Sequence, residues 1–418
     1  MIKPDYSASL VNLISSVIGY CGGKPYHTGL SAFEIFAQKA GKKAIPTTTH
    51  ETTGLSRDEA GKKTAQNTHN ALSGANTKKW KNVVLMLFDG MGIDALNRFL
   101  EPESFLRSNL VAPISSVFPP TTTAATTSLE SGLTPAEHGW LGWTLYIPEL
   151  DRNVALFPNV LQDTKTQAAD YRVANRFMPY KSVYDIISEG GEYRAYSVSP
   201  FGSVKVQNKK QYYKELVRLC GEAGNKYIYG YQEYPDNMMH VMGTYSRTVE
   251  ATVKGINRSV RNLCRTLAAD ENTRNTLVIV TADHGHIPIK NVILEDIPEI
   301  HNMLVRPATI EPRACNLFVR EECRACFPEV FNALFKDDFT LYSRDEILQE
   351  GLFGNIGSDK LHPTFLESSL GDFIAVATGD KALVNSHKSN RFRSHHAGAT
   401  EKEMRVPFIA IDVNAMPR

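Results

Sequence analysis

Five short segments of this chain place acids, imidazoles and hydroxyls where catalysis would want them. Asp89 closes the apolar run KNVVLMLFDG, and Asp283 with His284 closes TLVIVTADHG. Asp236 follows KYIYGYQEY and is itself followed four residues later by His240. On a helix, side chains at i and i+4 share one face and can share one metal ion. His396, with His395 beside it as a rival, stands in SHHAGATEKEMRVPF just ahead of a further apolar run. Carboxylates mixed with imidazoles suit zinc, with manganese a poorer second. The fifth segment, VFPPTTTAATTSLESG, sets Thr121, Thr122 and Thr123 directly after Pro119-Pro120. Helical spacing over 122–131, stopped at Ser131-Gly132, puts these threonines at a helix N-terminus, where free N–H groups and the positive dipole end attract phosphate. A hydroxyl held there against a metal ion ionises more readily and becomes a nucleophile.

The elements that must position these residues can be read from the apolar pattern. An unbroken apolar run closed by a turn is the mark of a strand buried on both faces, as in a parallel sheet. The four runs ending near Asp89, Asp236, Asp283 and Asp412 have this form, and helical patterns such as 181–189 and 246–268 fill the gaps. Alternation of that kind predicts a doubly wound, mostly parallel α/β sheet flanked by helices, and sites in such sheets open at the carboxyl ends of the strands. Residues 1–41 read as an N-terminal helix with its lead-in, and 42–80 as a polar insert rich in Thr, Lys, Asn and Gly. Residues 81–418 form the catalytic domain. Within it 301–390, with CNLFVR and GDFIAVAT as strands and FPEVFNALF as a helix, reads as a smaller embedded cap.

Composition narrows the function only by exclusion. The 418 residues hold 46 Lys plus Arg against 45 Asp plus Glu, a net charge of +1. Binding to a nucleic-acid polymer or by a polybasic membrane anchor needs a large positive excess, so neither is expected. At 42% hydrophobic and 22% charged residues, the chain can build a core. The six cysteines are scattered rather than arranged as a disulfide framework, and Cys323 and Cys326 read as ordinary thiols, which fits a reducing cytoplasm. The N-terminus, with Leu10, Ile14, Val17 and Ile18 at helical spacing and polar residues between, predicts an amphipathic helix rather than a signal peptide. No apolar stretch reaches the roughly 18 residues of a membrane span.

Taken together and in this order, FDG (88–90), FPPTT (118–122), PDNMMH (235–240), ADHGH (282–286) and HAGATEKEMRVP (396–407) resemble the alkaline phosphatase superfamily, most of all its nucleotide pyrophosphatase/phosphodiesterase branch. The resemblance covers nearly all of 81–418. It implies Thr122 as the nucleophile, one divalent ion held by Asp236, His240 and His396, and another held by Asp89, Thr122, Asp283 and His284. It also implies a small-molecule phosphoester substrate. The chain departs from the branch in two places. Trp143 stands where the branch has an asparagine that holds a phosphoryl oxygen, and Thr123 stands where an aromatic residue helps to sandwich the base. Tyr231, five residues before Asp236, matches. The expected activity is hydrolysis of a phosphodiester or pyrophosphate bond through a threonyl-phosphate. A phosphomonoesterase or phosphonate hydrolase on the same site is the alternative, and a non-catalytic metal-binding protein the alternative of another class. The absence of a C/S-x-P-x-R element disfavours the sulfatase branch.

Overall fold

The computed structural model describes residues 1–42, 79–363, 369–389 and 392–417. All but the ends of the polar insert expected at 42–80 lies outside them. At its end Trp80 belongs to the core: it is buried, and its indole N–H donates to Asp412 at 2.9 Å.

A seven-stranded sheet runs through the molecule in the order Leu110–Ser115, Arg405–Asp412, Thr276–Thr281, Asn82–Phe88, Asn225–Gln232, Tyr193–Ser199, Val204–Lys205. Asn82–Phe88 pairs in parallel with both of its neighbours, and every residue of it and of Thr276–Thr281 is buried, as the unbroken apolar runs require. Arg405–Asp412 shares the apolar character but runs antiparallel to Thr276–Thr281. The other runs reach the site at their carboxyl ends, whereas this strand begins just after His396 and must lead away from it. Two groups of helices flank the sheet. One contains Leu10–Tyr20, Thr122–Ser131 and Val183–Glu189; the other contains Ile93–Phe99, Lys209–Gly221 and Arg247–Ala268.

The N-terminal helix corrects the amphipathic reading. Every residue of Leu10–Tyr20 except Gly19 is buried. Two of its polar positions are satisfied inside: Asn12 accepts from the Ser9 hydroxyl at 2.7 Å and donates to the Thr28 carbonyl at 3.0 Å, and Ser16 accepts from the Leu30 amide at 2.7 Å, whereas the buried Ser15 hydroxyl has no partner. Hydrogen-bonded in this way, such groups enter a core without the usual desolvation penalty.

A second seven-stranded sheet, antiparallel throughout, has the order Phe339–Ser343, Phe373–Ala377, Ala314–Leu317, Thr309–Glu311, Thr144–Ile147, Arg152–Ala155, Val160–Leu161. Four strands of 301–390 therefore share a sheet with strands from 144–161, while Lys381–Val384 pairs separately with Lys290–Ile293. Alternate residues face opposite cores: Ile374 and Val376 join Leu145 and Ile310, while Phe373, Ala375 and Ala377 join Phe327 and Phe331 of the helix Phe327–Phe335. A buried Arg313–Glu403 pair ties this sheet to the segment after His396. Arg313 donates two bonds to the carboxylate, at 2.7 and 2.9 Å, and others to the Lys381 and Gly379 carbonyls. Glu403 also accepts from the Gly398 amide and the Thr400 hydroxyl. Such a fork is well suited to holding a loop in one geometry. Among the described residues, no helix is long and apolar enough to cross a membrane.

Candidate active site

At the carboxyl end of Asn82–Phe88 the chain turns sharply through Gly90, whose φ of +73° suits glycine. The turn presses on the start of the next site segment: a Cβ at Gly90 would lie 2.9 Å from Cβ of Asp236. The Asp236 amide donates to the Asp89 carbonyl at 3.0 Å, so the backbone itself fixes one aspartate against the other. Asp283 lies two residues beyond Thr276–Thr281. Its Oδ1 accepts from the amides of Gly90 and His284, each at 3.0 Å, and its Oδ2 is buried with no hydrogen-bond partner.

Thr122 is the first residue of the helix Thr122–Ser131. Its hydroxyl is 3.3 Å from Nε2 of His284 and 3.4–3.5 Å from the two Asp89 oxygens. Tyr231 donates to Oδ2 of Asp89 at 2.6 Å. Asp236 opens the helix Asp236–Met242, so His240 does return to its face, with Nε2 3.4 Å from Oδ2 of Asp236. His396 places Nε2 3.8 Å from Oδ1 of Asp236, and its ring stacks on that of His284 at 3.7 Å. Ala397, held at φ +85°, follows it; a non-glycine residue in that region carries about 1–3 kcal/mol of strain, which here turns the loop immediately after His396.

Position separates the two adjacent histidines, since His396 and not His395 falls within ligand reach of Asp236, His240 and His286. Nδ1 donates to a backbone carbonyl in His240 (Ser394, 2.9 Å), His284 (Gly285, 3.0 Å) and His396 (Pro120, 3.2 Å). A carbonyl partner fixes the proton on Nδ1 and leaves Nε2 with its lone pair free, the usual preparation of a metal-ligating imidazole. Nδ1 of His395 meets both backbone groups of His396, its amide at 2.9 Å and its carbonyl at 3.1 Å.

Among the described residues, two groups of potential ligand atoms emerge, each with its members within 4.8 Å of one another: Asp236, His240, His286 and His396, and Asp89, Asp236 and His284. His286 is the addition that the spacing argument missed. Its Nε2 is 3.0 Å from Oδ1 of Asp236, and its Nδ1 is buried without a partner. The signal was the second histidine of ADHGH. Glu311 was also missed, because nothing local marks it. It reaches the site from the second sheet and accepts from the Thr121 hydroxyl at 2.6 Å and the Trp143 amide at 2.9 Å. Burial pushes its carboxyl up to about 7.

The charges on the two halves behave oppositely. Burial first, then the neighbouring Asp283 and Asp236, push Asp89 well above the usual carboxylate range. Asp283 is raised as well, chiefly by burial. Burial also acts on Asp236, but His240, His286 and His284 outweigh it and hold the carboxyl low. Crowded anions with an orphaned oxygen, beside imidazoles prepared to donate Nε2, are the donor set a divalent cation requires.

These residues open on a cavity of about 2180 Å³, lined among others by Thr121, Thr122, Trp143, Tyr231, Glu311 and His396. Trp143 stands edge-on to Phe157 with ring centroids 6.1 Å apart. Thr123, expected at the substrate, is buried outside that lining and its hydroxyl has no partner. Successive helical residues point about 100° apart, so the neighbour of Thr122 turns into the core.

A mostly parallel sheet flanked by helices carries these clusters at its strand ends, and the family pattern that the chain matches makes it a phosphoric ester hydrolase. The chain belongs to the type I phosphodiesterase / nucleotide pyrophosphatase family, whose pattern matches residues 83–400. Among solved structures it is similar to murine ectonucleotide pyrophosphatase/phosphodiesterase 5, with 19% identity and a TM-score of 0.59 over 78% of this chain and 87% of that one. The human counterpart is similar at 18% identity and a TM-score of 0.56, with the same coverage. The murine protein is also known as an inactive threonine-to-alanine variant in complex with AMP, likewise at 18% identity. No curated protein matches the chain.

Proposed function

We propose that this chain is a two-metal phosphodiesterase that cleaves a phosphodiester or pyrophosphate bond of a small, nucleotide-like substrate through a threonyl-phosphate at Thr122. The observation that carries this reading is the position of the Thr122 hydroxyl. It sits at a helix N-terminus and within 3.5 Å of both Asp89 and His284. Asp89, Thr122, Asp283 and His284 would hold one ion, and Asp236, His240 and His396 the other; zinc suits this set best, with manganese second. When bound, such ions supply Lewis-acid charge that eases ionisation of the threonine and of a departing oxygen.

The protein's own part follows from its contacts. Tyr231 orients Asp89 through its short hydrogen bond. His286 donates Nε2–H to Asp236 and acts through it as a positioning residue. The first amides of Thr122–Ser131 have no intrahelical acceptors and are aimed at the non-bridging phosphoryl oxygens. The Trp143 indole lines the same cavity in the place of the branch's asparagine. Thr122 Oγ forms a bond to phosphorus as the bond to the leaving oxygen breaks, and water then cleaves the threonyl ester. We assign 301–390, together with the 144–161 strands that complete its sheet, as the cap bounding the cavity. The six unpaired thiols suit a reducing cytoplasm.

Paired assays of the zinc-loaded protein with a diester and a monoester of one chromophore test the reading. Faster release from the diester supports it, and release from the monoester alone assigns the site to a phosphomonoesterase.

A further inference from the structure

The near-zero net charge of the whole chain conceals an uneven surface. The helix Arg247–Ala268 buries Val249, Val253, Ile256, Val260, Leu263 and Leu267. Its basic residues are Arg247, Lys254, Arg258, Arg261 and Arg265. At about 100° per residue they fall within an arc of roughly 60°, and at about 1.5 Å per residue they span roughly 27 Å. All but the half-buried Arg261 are exposed. The helix carries one acid, Glu250, which pairs with Lys254 at 2.6 Å. Among the described residues, none of its four arginines forms an ion pair. Lys209, at the start of Lys209–Gly221, widens the stripe rather than neutralising it. A Cβ at Gly255 would lie 4.0 Å both from its ammonium and from a guanidinium nitrogen of Arg258. Burial, then Arg258, bring the Lys209 ammonium below its usual range.

Apolar side chains stand in solvent near the N-terminal end of this stripe. Phe201 is 87% exposed, Val241 57% and Met242 46%. Phe201 lines a cavity of about 630 Å³ together with Thr248, Ala251, Thr252 and Gly255 of the same helix. Val241 and Met242 close the helix Asp236–Met242, which packs on it and whose Met238 sulfur accepts from the Thr252 hydroxyl at 3.1 Å. The exposed residues between the cations are Thr248, Ala251 and Asn262, with no aromatic ring among them. A single nucleic-acid strand is met by rings interleaved with the charges. Cations on one line, with apolar groups gathered at one end, suit the headgroup boundary of an anionic bilayer instead.

We propose that the outer face of Arg247–Ala268, with Lys209, Phe201, Val241 and Met242, is a peripheral docking surface for an anionic lipid bilayer. Its cations attract the negative headgroups, each acting within a Debye length of the surface. The apolar side chains then enter the boundary between headgroups and acyl chains. Because the cations follow one line, the helix axis lies parallel to the bilayer plane. No membrane span is involved, and the apolar face of the helix stays in the protein core.

The test is co-sedimentation of the zinc-loaded full chain with vesicles of phosphatidylcholine alone and of phosphatidylcholine with about 30% phosphatidylserine. The protein should sediment with the second and not with the first, and added salt should release it. Arg258→Glu combined with Arg265→Glu should weaken binding about tenfold or more, with the unfolding midpoint retained. Phe201→Ser, which leaves the helix and the net charge unaltered, should weaken it several-fold. Failure of the wild-type protein to sediment with the phosphatidylserine vesicles overturns the proposal, whatever the variants do. Equal sedimentation with phosphatidylcholine alone also overturns it, as does full binding by the folded double variant. Capture of a single-stranded oligonucleotide without capture of vesicles overturns it too and gives the stripe to a nucleic acid.

Discussion

The two halves of the site use the same residue types and reach opposite electrostatic states. Around Asp236 the protein supplies its own compensation: three imidazoles hold one carboxylate low. Around Asp89 it supplies none of comparable size; two buried aspartates face each other and both are pushed up. The difference teaches where bound charge matters most. The imidazole-rich half is nearly balanced without an ion, whereas the acid-rich half, which also carries Thr122, is assembled against its own repulsion. In this account a metal ion relieves that repulsion and activates the hydroxyl in the same act.

The largest effect tests the chemistry of the acid-rich half. Thr122→Ala should lower kcat by about 10⁴-fold while both metal equivalents remain, because other ligands hold the ions. Turnover at the wild-type level in steady-state assays would remove Thr122 from the mechanism.

Glu137 provides a carboxylate whose compensation comes from the protein alone. Burial would raise it, but the hydrogen bond and charge of His27, with Ser358 and Thr134, bring it down to about 2. A depressed carboxyl stabilises the fold above its unfolded value of about 4.5 and loses that contribution as pH falls through 2. The loss in denaturant midpoints over this window should amount to at most about 3 kcal/mol, and Glu137→Gln should flatten it. An unchanged acid limb in the variant would show that His27 gives no compensation.

Within the imidazole-rich half, His286→Gln should weaken metal binding by about 10–100-fold without abolishing it, as expected of a residue that orients a ligand. Complete loss of that ion would make His286 a ligand in its own right. The smallest expected effect is the sharpest for the comparison. In the metal-free protein Asp89→Asn should raise stability by about 1 kcal/mol, since a repelled buried charge is removed, and Asp236→Asn should lower it. The same sign for both variants in chemical denaturation would break the contrast.

Much of this was legible in the sequence, for identifiable reasons. Unbroken apolar runs marked Asn82–Phe88 and Thr276–Thr281, because a strand buried on both faces has no polar side to show. The Pro-Pro-Thr start and Ser131-Gly132 end marked the nucleophile helix, because caps act locally. Long-range features left no such trace. The antiparallel direction of Arg405–Asp412, the burial of Leu10–Tyr20 on nearly all sides, and the pairing of Thr144–Ile147 with Thr309–Glu311 depend on partners distant in sequence. Glu311 enters the site only through that pairing. The choice between His395 and His396 turned on which ring comes within reach of Asp236, His240 and His286, a matter of backbone geometry that residue types do not encode.

The most direct test of the two-ion account is metal counting by elemental analysis of the purified chain and of Asp236→Ala and Asp89→Ala. The account predicts two zinc equivalents in the wild-type protein and one in each variant. A single equivalent in the wild-type chain, or two retained in either variant, would contradict it.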